Sequence, residues 1–267
     1  MDKKQTNGRI VLITGASHGI GAACAEAFLA RGDVVYGLCR SKPDHPHIRH
    51  VPVDLTNSAE AEKAIRTILA QAGRIDVLVL NAGIGISGAV EFTELSEAKR
   101  QFDVCYFGAL RVLTPALPAL RKSKGIILFT SSVAAVTPIP YQAHYSACKA
   151  AINALVLALR NELKHTGVRV SAVLPGDVKT DFTAARAKNE RGTEVYPAMI
   201  RSVQRMERDE QTGMSPDQIA KKFLKIAAKR NPKPYYSVGF AYSAVCVLVK
   251  LLPARLAGRI LWQLYAK

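Results

Sequence analysis

Residues 9–21, RIVLITGASHGIG, decide the fold class of this chain. The apolar run over residues 9–14 has the length of a buried strand, and the alanine-rich pattern after the glycines continues to Arg31 as a helix. A strand that runs through a glycine-rich turn into a helix is typical of a nucleotide-binding unit. The segment therefore predicts a strand, a phosphate-binding turn and a helix.

Each glycine of TGASHGIG has its own physical task. Gly15 permits a tight turn, Gly19 lets the backbone approach a pyrophosphate, and Gly21 lets the helix pack against the sheet. The first turn of the helix then offers backbone N–H groups to the anion. The spacing is T-G-x-x-x-G-x-G, which differs from the G-x-G-x-x-G of many two-domain dehydrogenases. The predicted cofactor-binding residues of this turn are Gly15, Ser17, His18, Gly19, Ile20 and Gly21.

The residues after the second strand, predicted over 33–39, indicate which dinucleotide is bound. In dinucleotide-binding folds a carboxylate here bonds the ribose 2′-hydroxyl of NAD, whereas an arginine accommodates the 2′-phosphate of NADP. Arg40, Ser41 and Lys42 follow this strand, so cations and no carboxylate face the phosphate. Arg40 and Ser41 are therefore predicted to bind NADP(H).

Two further strands, predicted over 48–53 and 76–80, end at the same cofactor site. The residues after the first are placed to contact the adenine, and the small residues after the second let the chain pass close to the cofactor. The predicted contacts are Asp54, Leu55, Asn81, Ala82 and Gly83.

Strands and helices alternate along the chain, and this alternation predicts the fold class. More strands are predicted over 126–129, 168–174 and 235–239, with helices between them. The expected fold is α/β, a single Rossmann-type domain over residues 1–267 whose doubly wound parallel sheet carries helices on both faces. Ligands of such sheets bind at the carboxyl ends of the strands. The candidate residues at those ends include Gly15, Arg40, Asn81, Ser132 and Pro175.

Residues 125–149, GIILFTSSVAAVTPIPYQAHYSACK, contain the candidate catalytic residues. A helix is predicted over 145–163, and a spacing of four places Tyr145 and Lys149 on one of its faces. A free phenol has a pKa near ~10, and a nearby ammonium lowers it, so that Tyr145 can act as a general acid or base. Ser132 would donate its hydroxyl to a substrate carbonyl. A bare Y-x-x-x-K also fits a surface tyrosine and lysine one turn apart; its setting at the sheet edge favours catalysis.

The chain beyond residue 174 is predicted to complete the cofactor site and to cover the substrate. The polar, poorly periodic stretch 181–215 predicts a lid that extends over about 177–215. The apolar tail predicts one helix over about 240–264, which either contacts a membrane surface or the substrate entrance, or packs against the domain or a partner subunit. The cofactor contacts predicted at the start of this region are Pro175, Gly176, Val178 and Thr180.

Length, charge and cysteine usage narrow the class of protein. The 267 residues fit one α/β domain, and the net charge of +16 is spread along the chain without a dense basic run. A phosphate-rich cofactor explains this charge better than nucleic acid does. The five scattered cysteines predict reduced thiols, a cytoplasmic location and no metal site. Residues 1–7, MDKKQTN, lack the apolar core of a signal peptide, and no apolar run has the length of a membrane span.

The motifs TGASHGIG, NAG, Ser132 with Tyr145-x-x-x-Lys149, and PG-x-x-x-T together resemble the short-chain dehydrogenase/reductase family over residues 9–180. The tail is more loosely similar to the 17β-hydroxysteroid and retinol dehydrogenase-like branch. The resemblance implies that Tyr145 is the acid in carbonyl reduction, that Lys149 lowers its pKa and holds the nicotinamide ribose, and that Ser132 polarises the carbonyl. It also implies that Thr180 meets the nicotinamide carboxamide. Family members are often dimers or tetramers, so a homo-oligomer is expected.

One position departs from the family pattern. The family commonly has an asparagine three residues before a glycine on a long helix, which is predicted here from Ser96 to about residue 120, with a bend or an end at Pro115 and Pro118. Cys105, before Gly108, occupies the position of that asparagine. In the family the asparagine helps to hold a water in a proton relay from the lysine, and a cysteine is a poorer hydrogen-bonding group.

The function predicted from these features is an NADP(H)-dependent oxidoreductase that interconverts a carbonyl and an alcohol on a lipophilic small molecule, such as a steroid-, retinoid- or acyl-like compound. Two alternatives stay open. Cys105 supports a catalytically weak NADP(H)-binding regulatory protein, and the apolar tail supports a peripheral membrane member of the same family. A weak contact of the tail with a membrane surface stays open beside packing on the domain or a partner subunit, and a nucleic-acid partner is not expected.

Overall fold

A computed structural model describes residues 8–267, and the predicted polar segment 1–7 lies outside the described residues. Seven parallel strands form the main sheet. Their bounds are β1 (Ile10–Thr14), β2 (Val34–Cys39), β3 (Arg49–Pro52), β4 (Val77–Leu80), β6 (Ile126–Thr130), β7 (Arg169–Leu174) and β9 (Tyr235–Ser237). The order of the strands across the sheet is β3-β2-β1-β4-β6-β7-β9. Two short strands, β5 (Ile86–Ser87) and β8 (Ala187–Lys188), pair separately.

Helices connect the strands and cover both faces of the sheet. Their bounds are α1 (Gly19–Leu29), α2 (Ser58–Ala72), α3 (Leu95–Phe102), α4 (Gly108–Ser123), α5 (Ala143–Glu162), α6 (Ala198–Gln211), α7 (Pro216–Ala227), α8 (Phe240–Leu251) and α9 (Ala254–Tyr265). The predicted fold class, an α/β domain of Rossmann type, is confirmed.

The central strands are apolar over their whole length because the sheet is buried on both faces. In β1 the side chains of Ile10 and Leu12 join one core cluster, whereas those of Val11 and Ile13 join a second cluster on the opposite face. Successive side chains of a strand point to opposite faces, so β1 supplies both cores at once. The apolar runs that predicted the strands have this physical origin.

The strand order reverses between β1 and β4, and this reversal creates the binding crevice. From β1 the chain proceeds outward through β2 to β3, and it then returns to place β4 on the other side of β1. The loops after β1 and β4 therefore diverge at the carboxyl edge of the sheet, where ligands of doubly wound folds bind. Gly15 and Asn81 stand at the two ends.

The long helical segment differs in two ways from the prediction. It begins at Leu95 rather than at Ser96, and Glu97 Oε2 accepts a hydrogen bond of 3.0 Å from the Glu94 N–H in a capping box. It also continues through Pro115 and Pro118, which lie inside α4. The apolar face of α4 packs on the core of the domain, and this burial outweighs the cost of about 3 kcal/mol that a proline carries inside a helix.

The stretch predicted as a lid has regular structure of its own. It contributes β8, which pairs in parallel with β5, and the fourteen-residue helix α6. Ala198, Met199 and Met206 are the buried apolar residues of α6, and most of its other residues are polar or charged. With so few apolar positions the helical period is weak in the sequence, and the helix was missed for that reason.

The tail forms two helices, so the prediction of one helix over about 240–264 is wrong. The first, α8, ends before Leu252, which has extended backbone angles, and α9 begins after Pro253. Proline has no backbone N–H and disfavours helical geometry in the residue before it, and the chain breaks there.

Candidate active site

A cavity of about 820 Å³ opens at the carboxyl edge of the sheet. Of the twenty predicted site residues, all except Gly21 line it. The nineteen lining residues are Gly15, Ser17, His18, Gly19, Ile20, Arg40, Ser41, Asp54, Leu55, Asn81, Ala82, Gly83, Ser132, Tyr145, Lys149, Pro175, Gly176, Val178 and Thr180. Residues that are up to 165 positions apart in the chain therefore share one cavity.

The glycine turn forms a backbone cradle at the start of α1. Gly15 has φ +68° and Gly19 has φ +53°, a region that side chains other than glycine rarely adopt. A Cβ on Gly15 would lie 3.0 Å from the Ala82 Cα, and one on Gly21 would lie 2.0 Å from the Gly15 carbonyl oxygen. Gly21 therefore packs the helix against the turn, while the rest of the turn faces the cavity. The exposed start of a helix beside glycine backbone fits a pyrophosphate.

Asn81 fixes the crevice between β1 and β4. Its backbone N–H donates to the Thr14 hydroxyl at 2.9 Å, and its side-chain amide donates to the Thr14 carbonyl oxygen at 3.2 Å. The Thr130 hydroxyl donates to Asn81 Oδ1 at 3.0 Å. Three neighbouring strands are thus tied together beneath the cavity.

The far end of the cavity has the composition expected around an adenosine phosphate. Arg40 is exposed directly after β2, where its guanidinium can reach a ligand in the cavity. Asp54 accepts hydrogen bonds from the Thr56 N–H at 2.9 Å and from the Thr56 hydroxyl at 2.8 Å. These bonds lower the pKa of Asp54, and the charge of Arg40 lowers it further. The Asp54 carboxylate therefore hydrogen-bonds within its own loop, and Arg40 is the charged residue that directly follows β2.

Tyr145 and Lys149 meet on one face of α5. Lys149 is 4% exposed, and its Nζ lies 5.6 Å from the centroid of the Tyr145 ring. The same Nζ donates a hydrogen bond of 2.8 Å to the Thr130 carbonyl oxygen at the end of β6. The Tyr145 ring, which is half-buried, also lies 6.0 Å from the ring of Phe182. The ammonium is thereby held beside the phenol.

The electrostatic environment of Tyr145 combines opposing effects. Burial raises the pKa of Tyr145, whereas the Lys149 charge and a hydrogen bond with Ser132 lower it; burial is the larger effect. Burial lowers the pKa of Lys149, but the anionic forms of Tyr145, Cys105 and Cys148 raise it by more in total. The site thus keeps the lysine cationic and the tyrosine protonated, with two groups ready to stabilise a phenolate.

The two adjacent serines have different partners. The Ser131 hydroxyl is buried and donates to Asn153 Oδ1 at 2.8 Å, which ties the end of β6 to α5. The Ser132 oxygen accepts a hydrogen bond from the Ala134 N–H at 3.1 Å, and its hydroxyl reaches Tyr145. Ser132 is the one placed to meet a carbonyl together with Tyr145.

Cys105 lies on a π-helical turn, Asp103–Phe107, between α3 and α4. Its Sγ accepts hydrogen bonds from Gln101 Nε2 at 3.0 Å and from the Ile84 N–H at 3.3 Å. A hydrogen bond with Cys148 and, to a smaller extent, the Lys149 charge lower the pKa of the Cys105 thiol to about 6 against the effect of burial. Hydrogen-bond donors thus surround this sulfur near Lys149, an arrangement that no sequence motif indicated.

Part of the cavity is lined by residues of α8, α9 and the loops near them that the sequence did not single out. Tyr242 of α8 lies over the loop after β7, where a Cβ on Gly176 would be 2.3 Å from its ring. Its hydroxyl donates to Asp177 Oδ2 at 2.6 Å. The remaining wall of the cavity is mostly apolar and includes Phe182, Met206, Val245, Leu248, Val249, Leu252, Ile260, Leu261 and Leu264.

The described residues contain neither a metal-binding cluster nor a membrane-spanning helix. Within residues 8–267, no group of three His, Cys, Asp or Glu side chains is arranged to hold a metal ion. In the same described range, no helix combines the length and the apolar character needed to cross a membrane.

Comparisons with known proteins agree with this geometry. The family described as short chain dehydrogenase matches residues 9–191. A 3-ketodihydrosphingosine reductase of Bacteroides thetaiotaomicron is 36% identical over 86% of this chain and 88% of its own length. An NADPH-dependent 3-dehydrocapnine reductase of Ornithobacterium rhinotracheale is 29% identical over 96% of each chain. The crystal structure of a short-chain dehydrogenase from Streptomyces avermitilis superposes with a TM-score of 0.84, at 26% identity and 98% coverage of both chains.

The family match covers more than half of the chain, including the glycine turn and the Tyr145–Lys149 pair. The chain belongs to the short-chain dehydrogenase/reductase family of oxidoreductases, as the sequence motifs predicted.

Proposed function

We propose that this protein is an NADP(H)-dependent oxidoreductase that interconverts a ketone and a secondary alcohol on a lipophilic small molecule. The observation that carries the proposal is the position of Ser132, Tyr145 and Lys149 in one cavity, between a glycine cradle and an apolar wall. The cradle fits a dinucleotide, and the apolar wall fits a hydrocarbon.

Ser132, Tyr145 and Lys149 have different roles in the reaction at the carbonyl oxygen. Ser132 donates a hydrogen bond to it, which favours the charge that develops there during reduction. Tyr145 gives its proton to the same oxygen, and Lys149 stabilises the phenolate that remains. The nicotinamide supplies the hydride when the cofactor is bound. In alcohol oxidation the same groups act in reverse, with the Tyr145 phenolate as the base.

The preference for NADP(H) over NAD(H) rests on Arg40 and Ser41. Both line the cavity directly after β2, where the adenosine ribose of a dinucleotide lies in this fold. A guanidinium binds a phosphate by charge-assisted hydrogen bonds. One of the relatives is named as an NADPH-dependent reductase, which supports the same choice for this chain.

The substrate class is proposed from the cavity wall and from the relatives. Apolar side chains of α8 and α9 line the half of the cavity beyond Tyr145. The names of two relatives refer to reduction of 3-ketodihydrosphingosine and of 3-dehydrocapnine. We infer that the substrate is a ketone with a long alkyl chain, rather than a compact hydrophilic sugar or acid.

We further propose that the tail touches an anionic membrane surface from which such a substrate enters. The side chains of Phe240, Leu251 and Trp262 are 91%, 77% and 51% exposed. Residues 218–267 contain ten lysines and arginines and neither aspartate nor glutamate. Exposed apolar side chains beside cations are typical of helices that lie in a membrane interface. The same charge disfavours a homo-oligomer interface through the tail, so the expected dimer or tetramer would use another face.

The proposal is tested by following the oxidation of NADPH, with NADH in parallel, over a panel of long-chain ketones, steroids, retinals and short hydrophilic ketones. We expect turnover with NADPH on the long-chain ketones. Binding of NADPH without turnover on any of these compounds would favour the regulatory alternative, and a preference for the hydrophilic ketones would contradict the proposed substrate class.

A further inference from the structure

A buried arginine stands in the wall of the cavity. Arg186 is 5% exposed, and its Nη2 donates to Glu210 Oε1 in an ion pair between the loop before β8 and the end of α6. Within residues 8–267, no atom accepts a hydrogen bond from its Nη1. A guanidinium N–H buried without an acceptor is costly, so this group calls for a functional explanation.

The carboxylate of Glu210 is already engaged. Its Oε1 accepts from Arg186, and its Oε2 accepts a hydrogen bond of 2.6 Å from the Thr183 hydroxyl. The ion pair is therefore held rigidly from both sides, and the free hydrogen-bonding capacity of the group lies on Arg186 Nη1. Both residues line the cavity that contains Tyr145.

The ion pair is close to the reacting phenol. The Phe182 ring lies 6.0 Å from the Tyr145 ring on one side and 5.7 Å from the Arg186 guanidinium carbon on the other. The charge of Glu210 also contributes to the raised pKa of Tyr145. One aromatic ring thus separates the position of the reacting carbonyl from an unused guanidinium N–H.

Asp177 adds a second charge to this region. Its Oδ2 accepts from the Tyr242 hydroxyl at 2.6 Å, and burial together with the nearby Asp209 and Glu210 charges raises its pKa despite opposing contributions from Tyr242 and Arg186. Asp177 also lines the cavity, and among the described residues its carboxylate forms no ion pair, whereas Glu210 is paired with Arg186. A cationic ligand group would relieve the repulsion among these carboxylates.

We propose that Arg186 and Asp177 form a head-group site, in which Arg186 Nη1 donates to a hydroxyl oxygen and Asp177 receives an ammonium of the substrate. The proposal rests on the function proposed above and deepens it. The substrate class becomes an amphiphilic ketone whose carbonyl stands between a short amino-alcohol head and a long alkyl chain. The head lies beside Phe182, and the chain extends along the apolar side chains of α8 and α9.

The test compares two ligands with two sets of variants. The ligands are 3-ketodihydrosphingosine and a plain alkyl ketone of equal chain length, both presented in the same detergent. The variants are Arg186→Met and the double variant Arg186→Met/Glu210→Gln, in which Glu210 is not left as an unpaired carboxylate. Arg208→Met is the control, because Arg208 is exposed on α6 and lies outside the cavity lining. Calorimetry in the presence of NADP⁺, which has no hydride to transfer to a ketone, measures ligand binding independently of turnover.

We expect the unmodified protein to prefer the head-group ketone by about tenfold to a hundredfold, since a hydrogen bond to a charged group has about this worth. In both Arg186 variants this preference falls by about tenfold through KM and Kd, while the plain ketone and the Arg208→Met control change little. Equal affinity of the unmodified protein for the two ligands would overturn the proposal. So would an equal loss of affinity for both ligands in the double variant with NADPH binding intact.

The two proposals fail in distinguishable ways. Suppose that neither ketone is reduced, but that 3-ketodihydrosphingosine binds and the Arg186 variants weaken this binding. The proposed head-group site is then supported and the proposed reaction is contradicted. If both ketones are reduced equally well, the reaction stands and the head-group site fails.

Discussion

Lys149 Nζ lies 5.6 Å from the centroid of the Tyr145 ring, at the point where α5 faces the carboxyl end of β6. The bond from this Nζ to the Thr130 carbonyl oxygen keeps the ammonium in place although it is almost completely buried. Helix α5 fixes the spacing between Tyr145 and Lys149, and the hydrogen bond to the carboxyl end of β6 fixes the direction of the Lys149 ammonium.

Replacing Lys149 by methionine should shift the pH dependence of the reaction upward. Because the Lys149 charge lowers the pKa of Tyr145 against burial, its removal raises that pKa. Alcohol oxidation needs the phenolate and gains rate as pH rises through this pKa, so its rise should move to higher pH. The pH profile of kcat is the measurement, with the exposed Lys225→Met as a charge-matched control. An unchanged profile in a folded Lys149→Met protein would contradict the assigned role.

Replacing Arg40 by alanine should weaken the binding of NADPH selectively. Arg40 is exposed, so we expect the loss of one charge-assisted contact to raise the KM for NADPH by about tenfold at low salt and by less at high salt. The KM for NADH should stay unchanged. Steady-state kinetics with both cofactors measure this, and Arg31→Ala, also exposed, is the control. A parallel change for both cofactors would count against a 2′-phosphate contact.

Replacing Cys105 by asparagine should leave kcat intact or raise it. The donors from Gln101 and Ile84 that now point at Sγ would point at an amide oxygen, and the new amide could donate toward the site. The measurement is kcat for ketone reduction, with thermal unfolding as the check on folding. A collapse of turnover in a folded, NADPH-binding Cys105→Asn protein would show that the position does not correspond to the asparagine of the family.

Replacing Phe240 and Leu251 by serine should abolish binding to anionic vesicles. These side chains are the most exposed apolar groups of the tail, and interfacial binding scales with the apolar area buried. Trp262 is the single tryptophan of the chain, so a blue shift of its emission on mixing with vesicles reports the contact directly. We expect the shift with anionic vesicles, a smaller one in high salt and none with the double variant. No shift with the unmodified protein would refute membrane contact.

The sequence was sufficient to predict the sheet and its carboxyl edge because both follow from short-range patterns. Parallel strands are apolar throughout, and the glycine turn and the Tyr145–Lys149 spacing are local features. The alternation of strands and helices predicts a parallel sheet with right-handed crossovers, but the order of the strands across the sheet comes from the structure. Nineteen of the twenty predicted site residues therefore share one cavity, and Gly21 supports it from behind.

The substrate end could not be predicted in the same way. Arg186 and Glu210 pair across 24 positions, from a loop and from a mostly polar helix, and no period or motif marks either residue. The hydrogen-bond donors around Cys105 likewise meet the sulfur because of a π-helical turn, and no sequence pattern predicts that turn. The break between α8 and α9, by contrast, was predictable from the sequence, because a proline such as Pro253 interrupts a helix.

The most direct test of the account compares the unmodified protein with Tyr145→Phe in the reduction of the best long-chain ketone by NADPH. The variant keeps the ring and its contact with Phe182 and loses the hydroxyl group whose proton the mechanism requires. We predict that kcat falls by about a hundredfold to ten-thousandfold while the Kd for NADPH stays within about twofold. Turnover that survives in Tyr145→Phe would contradict the central claim that this phenol donates the proton to the substrate carbonyl.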